Sequence, residues 1–289
     1  MKQIKPIILS LILLCLGFSA QAQLTAGFTA SHLAGCAPLV DTFLNTTEPS
    51  TGTTYVWNLD NGTSLLTLTN VSGTYLTPGT YTVTLTATNG SSTSTHSQVI
   101  TVYPNPTVSF TAAPLVVCPG NPVIFTSTTT GGVPGPVTTL WAFGDGLSGS
   151  GSPVSHTYAA SGIYTVTLYA TNADGCSATL TKPGYVDVVV PPVASFVASP
   201  SHFCNPPGIV TFTSTSTGTA PMTYSWTFGD GSPGGSGATP THTYTATGSY
   251  TVTLKVTDAA GCTDSTVMPD AIVISNIHAA FTDPDTACV

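Results

Sequence analysis

The chain has no arginine, and its four lysines stand against twelve acids, for a formal net charge of −8 over 289 residues. Two of those lysines, Lys2 and Lys5, fall at the very start. A protein that grips nucleic acid must displace phosphate counterions with Lys and Arg, so this composition excludes an electrostatic nucleic-acid binder. It also argues against anionic membrane surfaces. Charged residues of both signs make up only 6% of the chain. No window carries a convincing 3.6-residue apolar period, so helices are not expected. After residue 18 no apolar run is long enough to cross a bilayer as a helix. There is no Gly-x-Ser-x-Gly elbow, no His-Glu-x-x-His and no P-loop, and nothing resembles an enzyme active site. No cofactor is implied.

The chain does contain a leader, a strand alphabet and a repeat. Lys2 and Lys5 precede an apolar run from Ile7 to Phe18, and Ala20-Gln21-Ala22 gives a small-x-small cleavage pattern. This reads as a signal peptide over 1–22, with export to the cell surface or the medium. The rest is rich in Thr, Val and Tyr, which favour strands, and in Gly and Pro, which punctuate turns. Runs such as Tyr250-Thr-Val-Thr-Leu-Lys-Val256 alternate with period two. The chain is therefore all-β.

Three tryptophans set the repeat, at a spacing of about 85 residues. Trp57 opens Trp-Asn-Leu-Asp-Asn-Gly, Trp141 opens Trp-Ala-Phe-Gly-Asp-Gly, and Trp226 opens Trp-Thr-Phe-Gly-Asp-Gly. Downstream come Gly79-Thr-Tyr-Thr-Val-Thr-Leu85, Gly162-Ile-Tyr-Thr-Val-Thr-Leu168 and Gly248-Ser-Tyr-Thr-Val-Thr-Leu254. The repeats span 24–103, 106–190 and 193–275, with joints at Pro104-Asn105-Pro106 and Pro191-Pro192. Short proline joints are stiff and extended. A fourth repeat starts at 277 and stops at 289. Each repeat holds about seven short strand-like runs with frequent turn signals, the pattern of a β-sandwich.

The Trp-x-Phe-Gly-Asp-Gly run, then His156-Thr-Tyr158 or His242-Thr-Tyr244, then Gly-x-Tyr-Thr-Val-Thr-Leu, resembles the PKD (polycystic kidney disease repeat) domain. The first repeat departs from the pattern at Asn58, Leu59 and Asn61, and Thr74-Tyr75 lacks the preceding histidine motif. The resemblance implies tandem Ig-like sandwiches with a non-catalytic spacer or adhesive role, and an extracellular protein or polysaccharide as partner. An alternative is the accessory binding region of a secreted depolymerase whose catalytic domain lies elsewhere. The low-charge, Thr-rich style resembles surface proteins of Bacteroidetes.

The signature residues have plain structural readings. Trp57, Trp141 and Trp226 are expected in the core. Gly144-Asp145-Gly146 and Gly229-Asp230-Gly231 read as tight turns, in which glycine supplies positive φ and aspartate bonds the backbone. The alternative, that Asp145 and Asp230 are calcium ligands, is less favoured because each turn offers one carboxylate where several oxygens must converge. His156 and His242 read as strand-end residues that cap or pack. Tyr81, Tyr164 and Tyr250 read as tyrosine corners at the start of the sixth strand.

The cysteines fall into two classes. Cys36, Cys118, Cys204 and Cys288 precede the second strand of their repeats, while Cys176 and Cys262 follow the sixth strand. Pairing within a repeat, Cys118 with Cys176 and Cys204 with Cys262, would join opposite ends of a sandwich. A strand of about six residues covers roughly 20 Å, whereas a disulfide needs Cα atoms within about 7 Å. Pairing between neighbours is favoured, Cys36 with Cys176 and Cys118 with Cys262. That rule assigns Cys204 to the fourth repeat and Cys288 to a fifth, so both should be reduced or mispaired in this chain.

Overall fold

The computed structural model describes residues 23–276 apart from 64, 133 and 134. The leader assigned to 1–22 and the partial repeat assigned to 277–289 lie outside the described residues. No helix occurs among the described residues; the protein is three tandem Ig-like β-sandwiches. Two compact units emerge, Met1–Pro104 with the first repeat and Asn105–Val289 with the second and third.

The first repeat runs β1 (Phe28–Ala30), β2 (Ala34–Cys36), β3 (Leu39–Asn45), β4 (Thr54–Asn58), β5 (Val71–Tyr75), β6 (Gly79–Asn89) and β7 (Ser92–Tyr103). Its sheets have the orders β1-β3-β5 and β2-β7-β6-β4. The second runs β8 (Phe110–Ala113), β9 (Val116–Val117), β10 (Pro122–Ser127), β11 (Thr138–Ala142), β12 (Ser148–Ser150), β13 (Val154–Thr157), β14 (Gly162–Thr171) and β15 (Ser177–Val188). The third follows with β16 (Phe196–Ser199), β17 (His202–Phe203), β18 (Gly208–Ser214), β19 (Thr223–Thr227), β20 (Gly235–Ser236), β21 (Thr241–Tyr244), β22 (Gly248–Thr257) and β23 (Thr263–Ile274). Their sheets are β13-β10-β8 with β12-β11-β14-β15-β9, and β16-β18-β21 with β17-β23-β22-β19-β20.

Period-two sequence makes these strands. In β22, Val252, Leu254 and Val256 are fully buried while the residues between them face outward. Burying each such side chain stabilises by about 1.5–3 kcal/mol. The three tryptophans sit at 0% exposure, one per core. Each is met edge-on by the phenylalanine of the first strand: Phe28, Phe110 and Phe196 lie 5.1, 5.1 and 5.2 Å from their tryptophans.

The second and third repeats carry one strand more than the seven expected. β12 and β20 are short Ser/Gly segments that pair along β11 and β19. In the first repeat this pairing shrinks to a single bridge between Trp57 and Leu66. In each repeat the first strand also changes sheets: β2, β9 and β17 leave β1, β8 and β16 and pair in parallel with the last strand. That switch carries the following segment to the end of the sandwich where the chain leaves.

Candidate functional site

The Gly-Asp-Gly turn in the second repeat is built from the end of β11 outward. Trp141 donates its Nε1–H to the Gly151 carbonyl at 2.9 Å. At Gly144 the chain has φ +92°, and a Cβ there would lie 2.4 Å from the Thr165 carbonyl oxygen, so glycine is required. Asp145 Oδ1 then accepts the Leu147 N–H at 3.0 Å and closes the turn.

The other oxygen, Asp145 Oδ2, lies 2.7 Å from His156 Nε2. His156 stacks flat on Phe143, with centroids 4.0 Å apart and planes 5° apart. Tyr158 meets the imidazole edge-on and donates its hydroxyl to the Phe143 carbonyl at 3.1 Å. Tyr164 stacks on Tyr158 and donates to the Ala160 carbonyl at 2.8 Å, the geometry of a tyrosine corner. Three sequence signatures thus form one continuous network. The third repeat repeats it: Asp230 to His242 at 2.8 Å, His242 on Phe228 at 4.1 Å, Tyr244 to the Phe228 carbonyl and Tyr250 to the Ala246 carbonyl. The histidines do pack, as expected, but their pairing with the turn carboxylates escaped the sequence reading.

The electrostatics follow from this packing. Burial raises the Tyr75, Tyr158 and Tyr244 hydroxyls well above the ordinary tyrosine value, with nearby carboxylates adding to the effect. Burial also pushes Asp230 upward, but hydrogen bonds from Ser232 and His242, with the His242 charge, outweigh it and hold the carboxyl at about 2 against an ordinary 3.8.

A folded-state value below the unfolded one means that the contribution to stability is present above about pH 4. It is lost as pH falls toward 2. The parent chain should therefore lose more denaturant resistance over that window than Asp230→Asn. Equal acid sensitivity in matched urea titrations would show that the pair contributes nothing.

This pair is not laid out as a catalytic relay. A Ser-His-Asp triad places the carboxylate on one imidazole nitrogen and the nucleophile on the other. Here His242 Nε2 faces both Asp230 and, at 3.4 Å, Ser232 Oγ, and Ser232 itself donates to Asp230. Among the described residues no group of three or more His, Cys, Asp or Glu could hold a metal ion.

The first repeat solves the same turn differently. Asp60 takes the place of the glycine at φ +59°, and its Oδ2 accepts the Thr82 N–H at 2.9 Å. Asn61 replaces the turn aspartate and bonds the Thr74 carbonyl. Gly73 replaces the histidine. Across the sheet, β3 places Asp41 opposite Gly73, where the other repeats pair Val123 with His156 and Val210 with His242. Asp41 is fully buried; its Oδ1 accepts from Ser31 Oγ and from the His32 and Thr42 N–H groups, and its Oδ2 has no hydrogen-bond partner. Sequence reasoning missed it, although alternation through Leu39, Asp41 and Phe43 points it inward.

The cysteines are placed by their strands. Cys118 follows β9 at the end where the second repeat leaves, next to Val189, whose N–H bonds the Val117 carbonyl. Cys262 sits in the β22–β23 hairpin turn, where Asp258 Oδ1 accepts the Ala260 and Cys262 N–H groups at 2.9 Å. Asn172 builds the same turn around Cys176. Cys118 and Cys262 are bonded, with Cα atoms 5.6 Å apart and a sequence separation of 144. The bridge ties the second repeat to the third. Cys36, Cys176 and Cys204 are disulfide-bonded as well, which rules out the reduced form considered for Cys204. A disulfide needs only a second thiol with its Cα within about 7 Å, and Cys204 has one.

Turns, aromatic networks and bridge together define a tandem array of Ig-like sandwiches whose signature residues serve the fold. The PKD domain matches residues 20–104, 103–188 and 189–273, and the chain belongs to this family. Among solved structures, the chain is similar to the I-band fragment I67–I69 from titin, at 16% identity and TM-score 0.48, covering 90% of this chain and 100% of that one. It is also similar to the mouse nectin-like molecule 4 ectodomain, at 13% identity and TM-score 0.39, covering 87% and 99%. A bacterial ice-binding adhesin fragment matches at 12% identity and TM-score 0.35, covering 89% and 100%. Likeness at this level concerns fold alone. No curated protein sequence matches the chain.

Proposed function

We infer that the protein is a non-catalytic, exported array of PKD domains that acts as a spacer and adhesive scaffold, presenting its outer sheet faces to an extracellular protein or polysaccharide. The observation that carries this reading is the bridge between Cys118 and Cys262. A covalent tie between successive sandwiches restrains the angle between them, which matters for a spacer and does nothing for chemistry. Disulfides also suit an oxidising, extracellular setting, and among the described residues no helix is long and apolar enough to cross a membrane. The accessory-region alternative calls for rows of exposed aromatics on which sugars stack. Among the described residues, Tyr169 is the one aromatic in the set of exposed large apolar side chains, which favours the scaffold reading.

The test is a binding and turnover panel on the purified chain. Retention on an extracellular protein or polysaccharide surface, with no product released, is the expected result. Turnover that survives repurification and disappears in His156→Ala or His242→Ala would overturn the reading.

A further inference from the structure

Tension follows the shortest taut covalent path, and in the second compact unit that path does not run along the backbone. The chain enters at Asn105, passes through β8 and β9, and reaches Cys118 at the far end of the second repeat. From there the Cys118–Cys262 bond leads straight to the third repeat, and β23 runs from Cys262 to the end where that repeat leaves. Everything from β10 to β22 is a closed loop beside this path. That loop includes Trp141, Trp226 and both aspartate–histidine networks.

We propose that the Cys118–Cys262 bridge is a covalent strap that lets the second and third repeats transmit tension without lengthening. Along the path, one flank of each repeat carries the load: β8 and β9 in the second, β23 in the third. β8 lies antiparallel to β10 and β9 parallel to β15, while β23 is paired with β22 along most of its length. Lys182 pins the leading flank, with Nζ 2.6 Å from the Phe110 carbonyl and over the Phe110 and Tyr185 rings. The β8–β9 flank has fewer paired residues and is the one that yields first. Even then little length appears, because the two flanks hold only about 25 residues, roughly 85 Å when fully extended. The loop behind the bridge spans 144 positions, several times the chain held in the two flanks even with Cys176 and Cys204 tied by disulfides of their own. The bridge withholds that length whether or not the sandwiches stay folded. Cys262 is 2% exposed while Cys118 is only partly buried, so a solution thiol reaches the bond from the Cys118 side. This role stands apart from whatever the outer faces bind.

Single-molecule stretching of the full chain, with bio-orthogonal handles at positions 107 and 276, tests it. The parent chain should extend by no more than ~85 Å between handles. The Cys118→Ser/Cys262→Ser variant should extend at least three times as far at the same force. A small dithiol added under load should convert the parent to the longer behaviour: its thiolate attacks one cysteine sulfur, expels the other as a thiolate, and leaves as the cyclic disulfide. If the double variant does not fold, the dithiol arm decides alone. Release of repeat-sized lengths from the parent chain without dithiol, or no gain in length after reduction, would overturn the proposal.

Discussion

Trp226→Ala should destabilise the third repeat by about 3–5 kcal/mol, the range for deleting a fully buried tryptophan. The ring is at 0% exposure, 5.2 Å from Phe196 and 5.6 Å from Phe212, so its loss opens a cavity bounded by both sheets. It also strips the Gly237 carbonyl of its 2.9 Å bond from Nε1. Domains are stable by only about 5–15 kcal/mol, and a sandwich of this size belongs near the lower end. The variant should therefore show a separate, early transition in urea while the other two repeats unfold at their parent midpoints. Because three cores need not melt together, the transitions should be resolved by probes placed in each repeat. A shift below about 1 kcal/mol, far under the usual cost of such a deletion, would mean that Trp226 is not the centre of its core.

The core was legible because its signal is local and periodic. The Thr-Val-Thr-Leu runs alternate with the pleat, and a tryptophan recurring at fixed spacing has one economical place to go. The cysteine bridge was legible for a different reason: Cys118 and Cys262 belong to loops at opposite ends of their own sandwiches, so a tie between neighbours satisfies the short reach of a disulfide. What could not be read singly was the Asp145–His156 pair. The two residues lie on different strands, and each has an ordinary reading alone, one as a turn former and the other as a packing residue. The signal was their joint loss in the first repeat, where Asn61 and Gly73 stand in their places. β12 and β20 were missed because Ser/Gly segments carry no apolar alternation; they are strands only because β11 and β19 offer an open edge. Asp41 sits at a core position that alternation marks plainly, and only its polarity disguised it.

Gly229→Ala should cost about 3 kcal/mol, at the upper end for a strained non-glycine backbone. The residue has φ +82°, and the added Cβ would lie 2.3 Å from the Thr251 carbonyl oxygen and 3.0 Å from its nitrogen. Those are backbone atoms of β22, which cannot swing aside as a side-chain tip could. Gly231 separates the two contributions. It has φ +78° and nothing within 4 Å of an added Cβ, so Gly231→Ala should cost only the left-handed penalty of about 1–2 kcal/mol. The first repeat supplies a third arm. Asp60 occupies the equivalent place at φ +59° and accepts the Thr82 N–H with its carboxylate. Aspartate also visits the left-handed region more readily than alanine. Gly229→Asp, although larger, should therefore cost less than Gly229→Ala, because its carboxylate can take the Thr251 N–H as Asp60 takes that of Thr82. Urea midpoints for the three variants order them directly. If Gly229→Ala proves no worse than Gly231→Ala, then β22 yields to the added methyl and the close approach of turn to strand does not fix the glycine.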